Sequence, residues 1–448
     1  MKIFKYELLL VTTGYFAVLI CLAFGMHDIP HGYDEFKLTL EELCTTGGLG
    51  DPRSFATAAI DVAKNGWISS ANDWIFNLWP PGFVLTEALI VRIFGFDAPV
   101  VAVLQVLAAG LFSVVLVLLY GLLRESVSSR SALLLPLVIF LFPVSRVFLL
   151  APTGVTLGES YAIGFFLVGF LMALRSAQLD SLRYAALAGV CLALSAYFRS
   201  QFETILLVLT VWGIVLAVAT RLKFMAMNPR LTTSTAKTIA VVLLVAHAAM
   251  LPWRGYHWSH HKTLLWVQTA QLMAQNSVMT SAELESKGGG FVVAGAGNLT
   301  CRIDPATCGD TVNARQLLVQ TLINHPLQWY SLKLEVIGQY WFAATGNWTA
   351  VATASTALDS LTNGMLLAVL VVVFALLFAR KVRANVYWIS LLWLNISMLS
   401  AYFVIFTVAQ FEVRYFFFPK ILGVVLFLVL SSIFLGSGDS SKNSSVVR

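Results

Sequence analysis

The chain has 448 residues, of which 58% are hydrophobic and only 12% are charged, and its mean hydropathy is +0.80. Soluble domains carry about 25% charged residues, so this chain has too few charges to cover a water-soluble globule of its size. Five cysteines in so long a chain also exclude a disulfide-rich secreted scaffold. The composition therefore predicts an all-α polytopic membrane protein.

Ten apolar runs are candidate membrane-spanning helices, although several are shorter than the roughly 20 residues that a bilayer core requires. The runs occupy residues 8–24, 100–122, 132–150, 160–174, 184–197, 204–220, 238–251, 365–378, 386–406 and 416–435. The first follows Lys2 and Lys5 and lacks a small-residue cleavage site. We therefore expect it to be a retained anchor and not a cleaved signal peptide.

The distribution of charge predicts the orientation of these spans. If both termini are cytoplasmic, the inside segments hold 15 Lys and Arg residues but only four Asp and Glu residues. Basic residues are enriched in the cytoplasmic loops of membrane proteins, so this orientation is favoured. Topology then accounts for the net charge of +6 without a nucleic-acid partner. We expect a multi-pass protein of the cell membrane, such as a bacterial inner membrane.

Two long segments, residues 27–99 and 257–359, are expected on the outer face. They divide the chain into an N-terminal membrane module (1–256, including the first outer loop), a second outer loop (257–359), and C-terminal spans with a short tail (360–448). Apolar, aromatic stretches at 83–94 and 328–342 predict helices lying at the membrane interface. Cys301 and Cys308 are close in sequence on an oxidising face, which favours a disulfide over a metal site.

Asp51 opens the most informative stretch of the first outer loop. It precedes Pro52 and an Ala-rich run, a pattern typical of a helix N-terminus. The carboxylate could simply cap that helix, and from physical chemistry alone the cap is the simpler explanation. The alternative is a general base held at the membrane surface. Asp34 and Glu35 form a rival acidic pair, but no comparable helix pattern follows them.

The residues after Asp51 follow an order that is known from one group of membrane enzymes. The matching residues are Asp51, Phe55, Ala56, Gly66, Trp67, Pro80, Pro81, Phe94 and Gly95. This series resembles the first outer loop of the GT-C glycosyltransferases that use polyprenyl-phosphate sugars, which include protein O-mannosyltransferases and lipid A aminoarabinose transferases. The resemblance implies a GT-C-like bundle of about ten transmembrane helices in which Asp51 is the catalytic residue.

Further outer-face residues fit the same resemblance. Glu159 begins a span where the family places an acidic residue, and Arg199 lies at an outer turn like the family's Arg-Pro position, with Ser200 in place of Pro. Arg254 follows Pro-Trp, and Arg414-Tyr415 precedes the last span like the family's Arg-Tyr motif. The resemblance implies that these residues bind substrate.

Two departures from the family pattern concern the lipid phosphate. Pro52 follows Asp51 where the family commonly has Glu, and Trp79 stands where a phosphate-binding Lys often precedes the Pro-Pro turn. Trp79 is therefore expected to line the substrate site, and another cation must hold the phosphate. The natural substitutes are Arg199, Arg254 and Arg414, because guanidinium binds a pair of phosphate oxygens well, with Arg53 and Lys64 as nearer candidates.

The resemblance implies an inverting glycosyltransferase on the outer face, with Asp51 as general base and a polyprenyl-phosphate sugar as donor. The acceptor would be a glycan, a lipid or a protein. The sequence contains no nucleotide-binding motif, which fits a lipid-linked donor. No paired-carboxylate motif demands a divalent metal, and metal dependence stays open.

The same residues are also compatible with simpler roles. Arg199, Arg254 and Arg414 could reach to the interface from span ends, and Glu159 could form a structural ion pair. His257, His260 and His261 favour a surface role over a metal site, since no carboxylate or Cys stands at ligand spacing.

Two other classes of membrane protein share this composition. The chain could be a transporter or flippase of a lipid-linked substrate, or a polymerase or ligase of the O-antigen type. A transporter would normally hold its ionisable residues near the bilayer midplane, whereas the candidate residues of this chain are expected at one face. The distribution of charge therefore favours an interfacial enzyme.

Overall fold

The computed structural model describes residues 2–25, 37–45, 50–221, 229–262, 299–305, 314–343, 357–383, 388–408 and 413–436. Within these ranges the chain forms helices and loops and no β-strand. The α-helices in chain order are α1 (Lys2–Phe24), α2 (Leu40–Thr45), α3 (Gly50–Asn65), α4 (Asp73–Leu78), α5 (Gly82–Phe94), α6 (Val100–Leu123), α7 (Ser129–Leu134), α8 (Pro143–Leu150), α9 (Pro152–Thr156), α10 (Glu159–Leu179), α11 (Leu182–Phe198), α12 (Gln201–Arg221), α13 (Pro229–His261), α14 (Leu299–Ile303), α15 (Ala314–Asn324), α16 (Pro326–Trp341), α17 (Ala357–Leu377), α18 (Arg380–Arg383), α19 (Trp388–Val408) and α20 (Phe417–Gly436).

Eight helices in the described part of the chain are long and apolar enough to cross a membrane, namely α1, α6, α10, α12, α13, α17, α19 and α20. The expected span at 132–150 is bent: Ser129–Leu141 and α8 meet at 82° and count as a ninth span if taken together. Pro136 and Pro143 lie in this segment, and proline removes the backbone donor that a continuous helix needs. The remaining expected span is the 17-residue α11. These helices confirm the predicted all-α polytopic membrane fold.

The centre of the bundle is formed by α10 and α20. In each of these two helices, 72% of the most apolar 18-residue stretch is buried inside the protein, whereas the corresponding share is 17% in α1 and 22% in α17. Aromatic rings join α20 to three other helices: Phe418 packs against Phe166 of α10 at 5.0 Å and Phe202 of α12 at 4.9 Å, and Phe417 packs against Phe148 of α8 at 4.5 Å. This packing places the N-terminal ends of α10, α12 and α20 side by side.

The described part of segment 27–99, which the sequence predicts to be the first outer loop and which keeps that name below, folds over this end of the bundle as helices α2 to α5. One face of α3 is apolar, with Phe55, Ala59 and Val62 buried at helical spacing, and it packs against α5. Gly66 ends α3 with φ of 85°, a conformation that glycine adopts without strain. At Gly82, the start of α5, a Cβ would lie 2.6 Å from the carbonyl oxygen of Tyr197. The Pro-Pro-Gly turn therefore lets α5 pack directly on the end of α11.

Glu87 is an unusual member of α5. It is completely buried, and neither carboxyl oxygen has a hydrogen-bond partner among the described residues. At 13 residues, α5 is about 20 Å long, too short to cross the roughly 30 Å hydrocarbon core, so we treat it as an interfacial helix. Burial raises the pKa of Glu87 well above its ordinary value of 4.5. The folded protein therefore keeps the Glu87 proton to a higher pH than the unfolded chain does.

The Glu87→Gln variant is expected to gain stability relative to the wild type as pH rises. Above the unfolded-state pKa of 4.5, the folded state binds a proton that the unfolded state has lost. Wild-type stability therefore falls by up to about 1.4 kcal/mol per pH unit until the folded-state pKa is passed, whereas an amide does not titrate. Thermal midpoints of both proteins between pH 5 and 8 measure this. The exposed Glu41→Gln is the matched control, and parallel curves for Glu87→Gln and wild type would contradict the assignment.

Candidate active site

Four charged side chains from four separate segments meet where the first outer loop covers the bundle. One Asp51 oxygen, Oδ2, lies 2.9 Å from Nη1 of Arg414 and 3.5 Å from Nη2 of Arg199. Arg199 Nη2 also donates a hydrogen bond to Glu159 Oε1, and Arg414 Nη1 lies 3.6 Å from the same oxygen. Each guanidinium thus contacts both carboxylates. We call these four residues the ionic cluster.

Asp51 lies in the first turn of α3, which begins one residue earlier at Gly50. It is therefore inside the helix, where the positive end of the helix dipole favours a carboxylate. Burial by itself would raise the pKa of Asp51, but the charges and hydrogen bonds of Arg414 and Arg199 outweigh it and lower the pKa below 3.8. Asp51 is thus a carboxylate ion at neutral pH, and its position serves the ionic cluster more than it serves a cap.

Glu159 is the first residue of α10, and only 4% of its side chain is exposed. The residue before it, Gly158, has φ of 79°, in the left-handed region that favours glycine. A Cβ at Gly158 would come within 3.1 Å of the Phe83 ring on α5. Glycine at this position therefore lets the start of α10 approach α5, and that approach brings Glu159 under the first outer loop.

The two arginines are held at helix ends. Arg199 is the extended residue after α11, and its backbone N–H donates to Ser195 O at 3.1 Å. Its guanidinium lies 5.5 Å from the centre of the Phe55 ring, one helical turn after Asp51. Arg414 lies in the short 3-10 turn Val413–Phe416 that leads into α20. Both side chains are largely enclosed, with 8% and 12% of their surface exposed.

The ionic cluster is chemically suited to receive an anion. Its two carboxylates and two guanidiniums formally cancel. Burying charged groups is costly because they lose their hydration. Well-packed apolar side chains in the same place often stabilise a protein as much or more, so stability alone does not explain why four charged residues are buried here. Charged groups with perturbed pKa values are concentrated at functional sites. An entering phosphate can take guanidinium hydrogen bonds from Asp51, which would free the carboxylate to accept one from a hydroxyl.

Aromatic side chains form one wall beside the ionic cluster. Phe55 packs edge-on against Trp79 and Phe83, each at 5.4 Å between ring centres. Trp79 in turn lies 6.1 Å from Trp74, which is half exposed. The sequence predicts that Trp79 lines the substrate site. In the structure Trp79 contacts Phe55, and Phe55 in turn lies against the Arg199 guanidinium.

The structure does not bring Arg53 and Lys64 into the ionic cluster. Arg53 is exposed, and Lys64 is more than half exposed and lies 3.8 Å from Glu41 at the surface. The Lys64 ammonium also lies over the Phe96 ring, at 5.2 Å. Neither side chain is therefore assigned to the candidate site.

Of the two remaining predicted site residues, Tyr415 lies beside the ionic cluster and Arg254 does not. Arg254 donates from Nε to Glu203 Oε1 at 2.9 Å and lies 3.0 Å from His247 Nδ1, so it belongs to a second polar group between α12 and α13. Glu203 was not predicted from the sequence, although it follows Arg199 by only four residues, in the first turn of α12. Tyr415 lies beside the ionic cluster, with its ring 5.8 Å from the Arg414 guanidinium.

The three histidines at the end of α13 do not share one environment. His257 is buried, contrary to the expected surface position, and its Nε2 lies 3.0 Å from Phe76 O. His260 is exposed and stacks on Tyr256 at 4.2 Å, whereas His261 lies 3.6 Å from Asp73. Among the residues that the structure describes, no group of three His, Cys, Asp or Glu side chains could hold a metal ion.

Three residues with predicted roles lie outside the described ranges, namely Asp34, Glu35 and Cys308. Cys301 is disulfide-bonded, but its pairing with Cys308 stays a prediction because Cys308 is not described.

Comparisons with known proteins identify the fold but no family. No protein-family model matches the chain, and no curated protein matches it. Among solved structures, an oligosaccharyltransferase from Archaeoglobus fulgidus, tethered to an acceptor peptide with an NVT sequon, matches 96% of this chain with a TM-score of 0.52 and 15% identity. The oligosaccharyltransferase AglB from the same organism, in complex with an inhibitory peptide and a dolichol-phosphate, matches 96% of this chain with a TM-score of 0.46 and 14% identity.

At 15% identity, the first of these matches shows a shared fold alone. The chain spans about half the length of the structures that it matches, 50% in both cases. The shared fold agrees with the GT-C-like architecture predicted from the sequence motifs.

Proposed function

We propose that this chain is an integral-membrane glycosyltransferase that transfers a sugar from a polyprenyl-phosphate carrier to an acceptor on the outer face of the membrane. The observation that carries this proposal is the ionic cluster. Its four members, Asp51, Glu159, Arg199 and Arg414, are all motif residues, and each carboxylate lies within 3.6 Å of both guanidiniums. The matched fold belongs to an oligosaccharyltransferase, which supports a membrane glycosyltransferase.

In the proposed reaction, the acceptor hydroxyl oxygen attacks the anomeric carbon of the donor sugar, with inversion of configuration. The bond from that carbon to the phosphate oxygen breaks, and its electron pair leaves with the polyprenyl phosphate. The hydroxyl proton passes to Asp51. Because the pKa of Asp51 is low, we expect the proton to transfer late, after the attacking hydroxyl has become acidic.

The arginines stabilise the charge that this reaction creates. The donor is a phosphodiester with one negative charge, and the leaving group becomes a monoester that carries more negative charge. Arg199 and Arg414 can donate charge-assisted hydrogen bonds to it. Such bonds strengthen as the bond to the sugar breaks, which is the requirement for lowering a barrier. Glu159 is a positioning residue in this scheme, because it accepts a hydrogen bond from Nη2 of Arg199, the same atom that lies 3.5 Å from Asp51.

The location of the charges also favours an enzyme over a transporter. The four charged groups occupy helix ends, Asp51 in the first outer loop and the other three beneath it, and none lies in the middle of a membrane-spanning helix. Transporters place their functional ionisable residues near the bilayer midplane. A site at helix ends can instead receive a lipid phosphate from the headgroup layer and an acceptor from water.

Arg414→Gln is expected to weaken the binding of polyprenyl phosphate by about 10- to 100-fold, since a hydrogen bond to a charged group contributes about 1.5–3 kcal/mol. The measurement is titration of the purified full-length protein in nanodiscs with polyprenyl phosphate. The control is Arg53→Gln, which removes an exposed cation two residues from Asp51 and should leave the affinity unchanged. Equal affinity of Arg414→Gln and wild type would remove Arg414 from the donor site.

A further inference from the structure

The C-terminal end of α13 contacts the short helix α4 of the first outer loop. At 33 residues, α13 is about 50 Å long, whereas the hydrocarbon core is about 30 Å thick, so the helix extends beyond the core. Its last turns come after the apolar run 238–251 that is expected to span the core. Tyr256 on these turns donates a hydrogen bond from its hydroxyl to Asp73 Oδ1 at 2.5 Å. His261 lies 3.6 Å from the other oxygen of the same carboxylate. These contacts hold Asp73 in a defined orientation.

Two tryptophans that flank Asp73 in the sequence, Trp67 and Trp74, are partly exposed. The Trp67 ring packs edge-on against Phe76 and Tyr256, at 5.6 Å in both cases, and yet 43% of the residue is exposed. Trp74, at the start of α4, is 49% exposed, and 31% of the Asp73 side chain is exposed as well. We call Trp67, Asp73 and Trp74 the Trp–Asp platform.

The composition of this platform indicates the chemistry of its ligand. Tryptophans that only anchor a protein in the headgroup layer have no need of a fixed carboxylate, and anionic headgroups would be repelled by one. A sugar presents C–H groups on the face of its ring, which suit the negative face of an indole, and hydroxyls at its edge, which can donate to a carboxylate. Aromatic side chains with a few fixed polar groups are the usual lining of a small-molecule site.

The platform is continuous with the ionic cluster. Trp74 contacts Trp79 at 6.1 Å, and Trp79 contacts Phe55 at 5.4 Å. The Phe55 ring lies 5.5 Å from the Arg199 guanidinium, and Asp51 is one turn earlier on the same helix. We propose that the Trp–Asp platform is the acceptor subsite and that the acceptor is a carbohydrate. This inference rests on the proposed function, because it concerns the second substrate of the same site.

The test is the binding of the labelled full-length protein to an array of immobilised oligosaccharides, beside an array of peptides. We expect the wild type to bind a subset of the oligosaccharides, and Trp74→Ala and Asp73→Asn to lower that binding at least 10-fold. Asparagine can still accept the Tyr256 hydrogen bond, so Asp73→Asn should fold normally. The matched control is Trp258→Ala, which removes a 55% exposed tryptophan from the same end of α13 and should bind as the wild type does.

Several results would overturn the inference. They are binding to peptides alone, no binding to any oligosaccharide, or oligosaccharide binding that Trp74→Ala and Asp73→Asn do not change. Polyprenyl-phosphate affinity is measured on the same variants and should be unchanged in all of them. If polyprenyl phosphate does not bind the wild type at all, the proposed function fails, whereas a loss confined to oligosaccharide binding concerns the acceptor subsite alone.

Discussion

Asp51→Asn is expected to lower the rate of sugar transfer by about 100- to 10,000-fold, the range that a positioned general base contributes. Asparagine keeps the size of the side chain and can still accept a hydrogen bond from Arg414, but it cannot take a proton. We therefore expect the variant to insert into the membrane and to bind polyprenyl phosphate with nearly wild-type affinity. The measurement is single-turnover transfer from a polyprenyl-phosphate sugar by protein in nanodiscs.

The control for this experiment is Asp97→Asn, which neutralises an exposed carboxylate at the end of the same loop. It should transfer sugar at the wild-type rate. Full activity of Asp51→Asn would remove Asp51 as the base. A loss of both transfer and donor binding would instead indicate that the carboxylate acts mainly by orienting the two arginines.

Arg199→Met is expected to destabilise the protein by about 3–5 kcal/mol, because it leaves a buried carboxylate without its principal partner. Glu159 is 4% exposed and accepts a hydrogen bond from Arg199, while its nearest contact with Arg414 is longer, at 3.6 Å. Thermal midpoints in detergent, measured with and without polyprenyl phosphate, report the loss. We also expect transfer to be abolished.

A double variant separates the structural role of Arg199 from its role toward the donor. Arg199→Met combined with Glu159→Leu removes the buried charge and its partner together, and such replacements are often neutral or stabilising. We expect the double variant to regain most of the thermal stability but none of the transfer activity. Recovery of activity together with stability would show that Arg199 serves the fold alone.

The course of the membrane helices was largely predictable because hydropathy reports directly on burial in lipid. The ten expected spans correspond to the eight long helices, the bent pair and α11. The bend at 132–150 could not be predicted in this way, because the hydropathy of an apolar segment is the same whether its helix is straight or broken. Pro136 and Pro143 indicate where a helix can break, but a proline does not specify the 82° at which the two parts meet.

The site was partly predictable, since motif residues identify helix ends but not their partners. Asp51, Glu159, Arg199 and Arg414 were all named, and the fold brings them together. Arg53 could have been set aside from helix geometry, since a residue two positions after Asp51 points about 200° away around the helix axis. The pairing of Arg254 with Glu203 joins residues 51 positions apart, and no local pattern predicts such a contact.

The Trp–Asp platform was hidden from the sequence for a similar reason. Trp67 and Trp74 are typical of an interfacial belt when read one at a time, and the three histidines near 260 resemble a surface cluster. Only the contact between α4 and α13 shows that Tyr256, whose ring packs against the exposed Trp67, also donates a hydrogen bond to the Asp73 carboxylate beside Trp74. Long-range packing, and not residue type, creates this feature.

The central claim is that the ionic cluster binds the phosphate of a lipid-linked sugar donor. An experimental structure of the full-length protein in nanodiscs with polyprenyl phosphate tests it most directly. We predict that the phosphate lies within hydrogen-bond distance of Arg199 or Arg414, next to Asp51. A phosphate bound elsewhere, for instance at Arg254 beside Glu203, with the contacts of Asp51 unchanged, would contradict the claim.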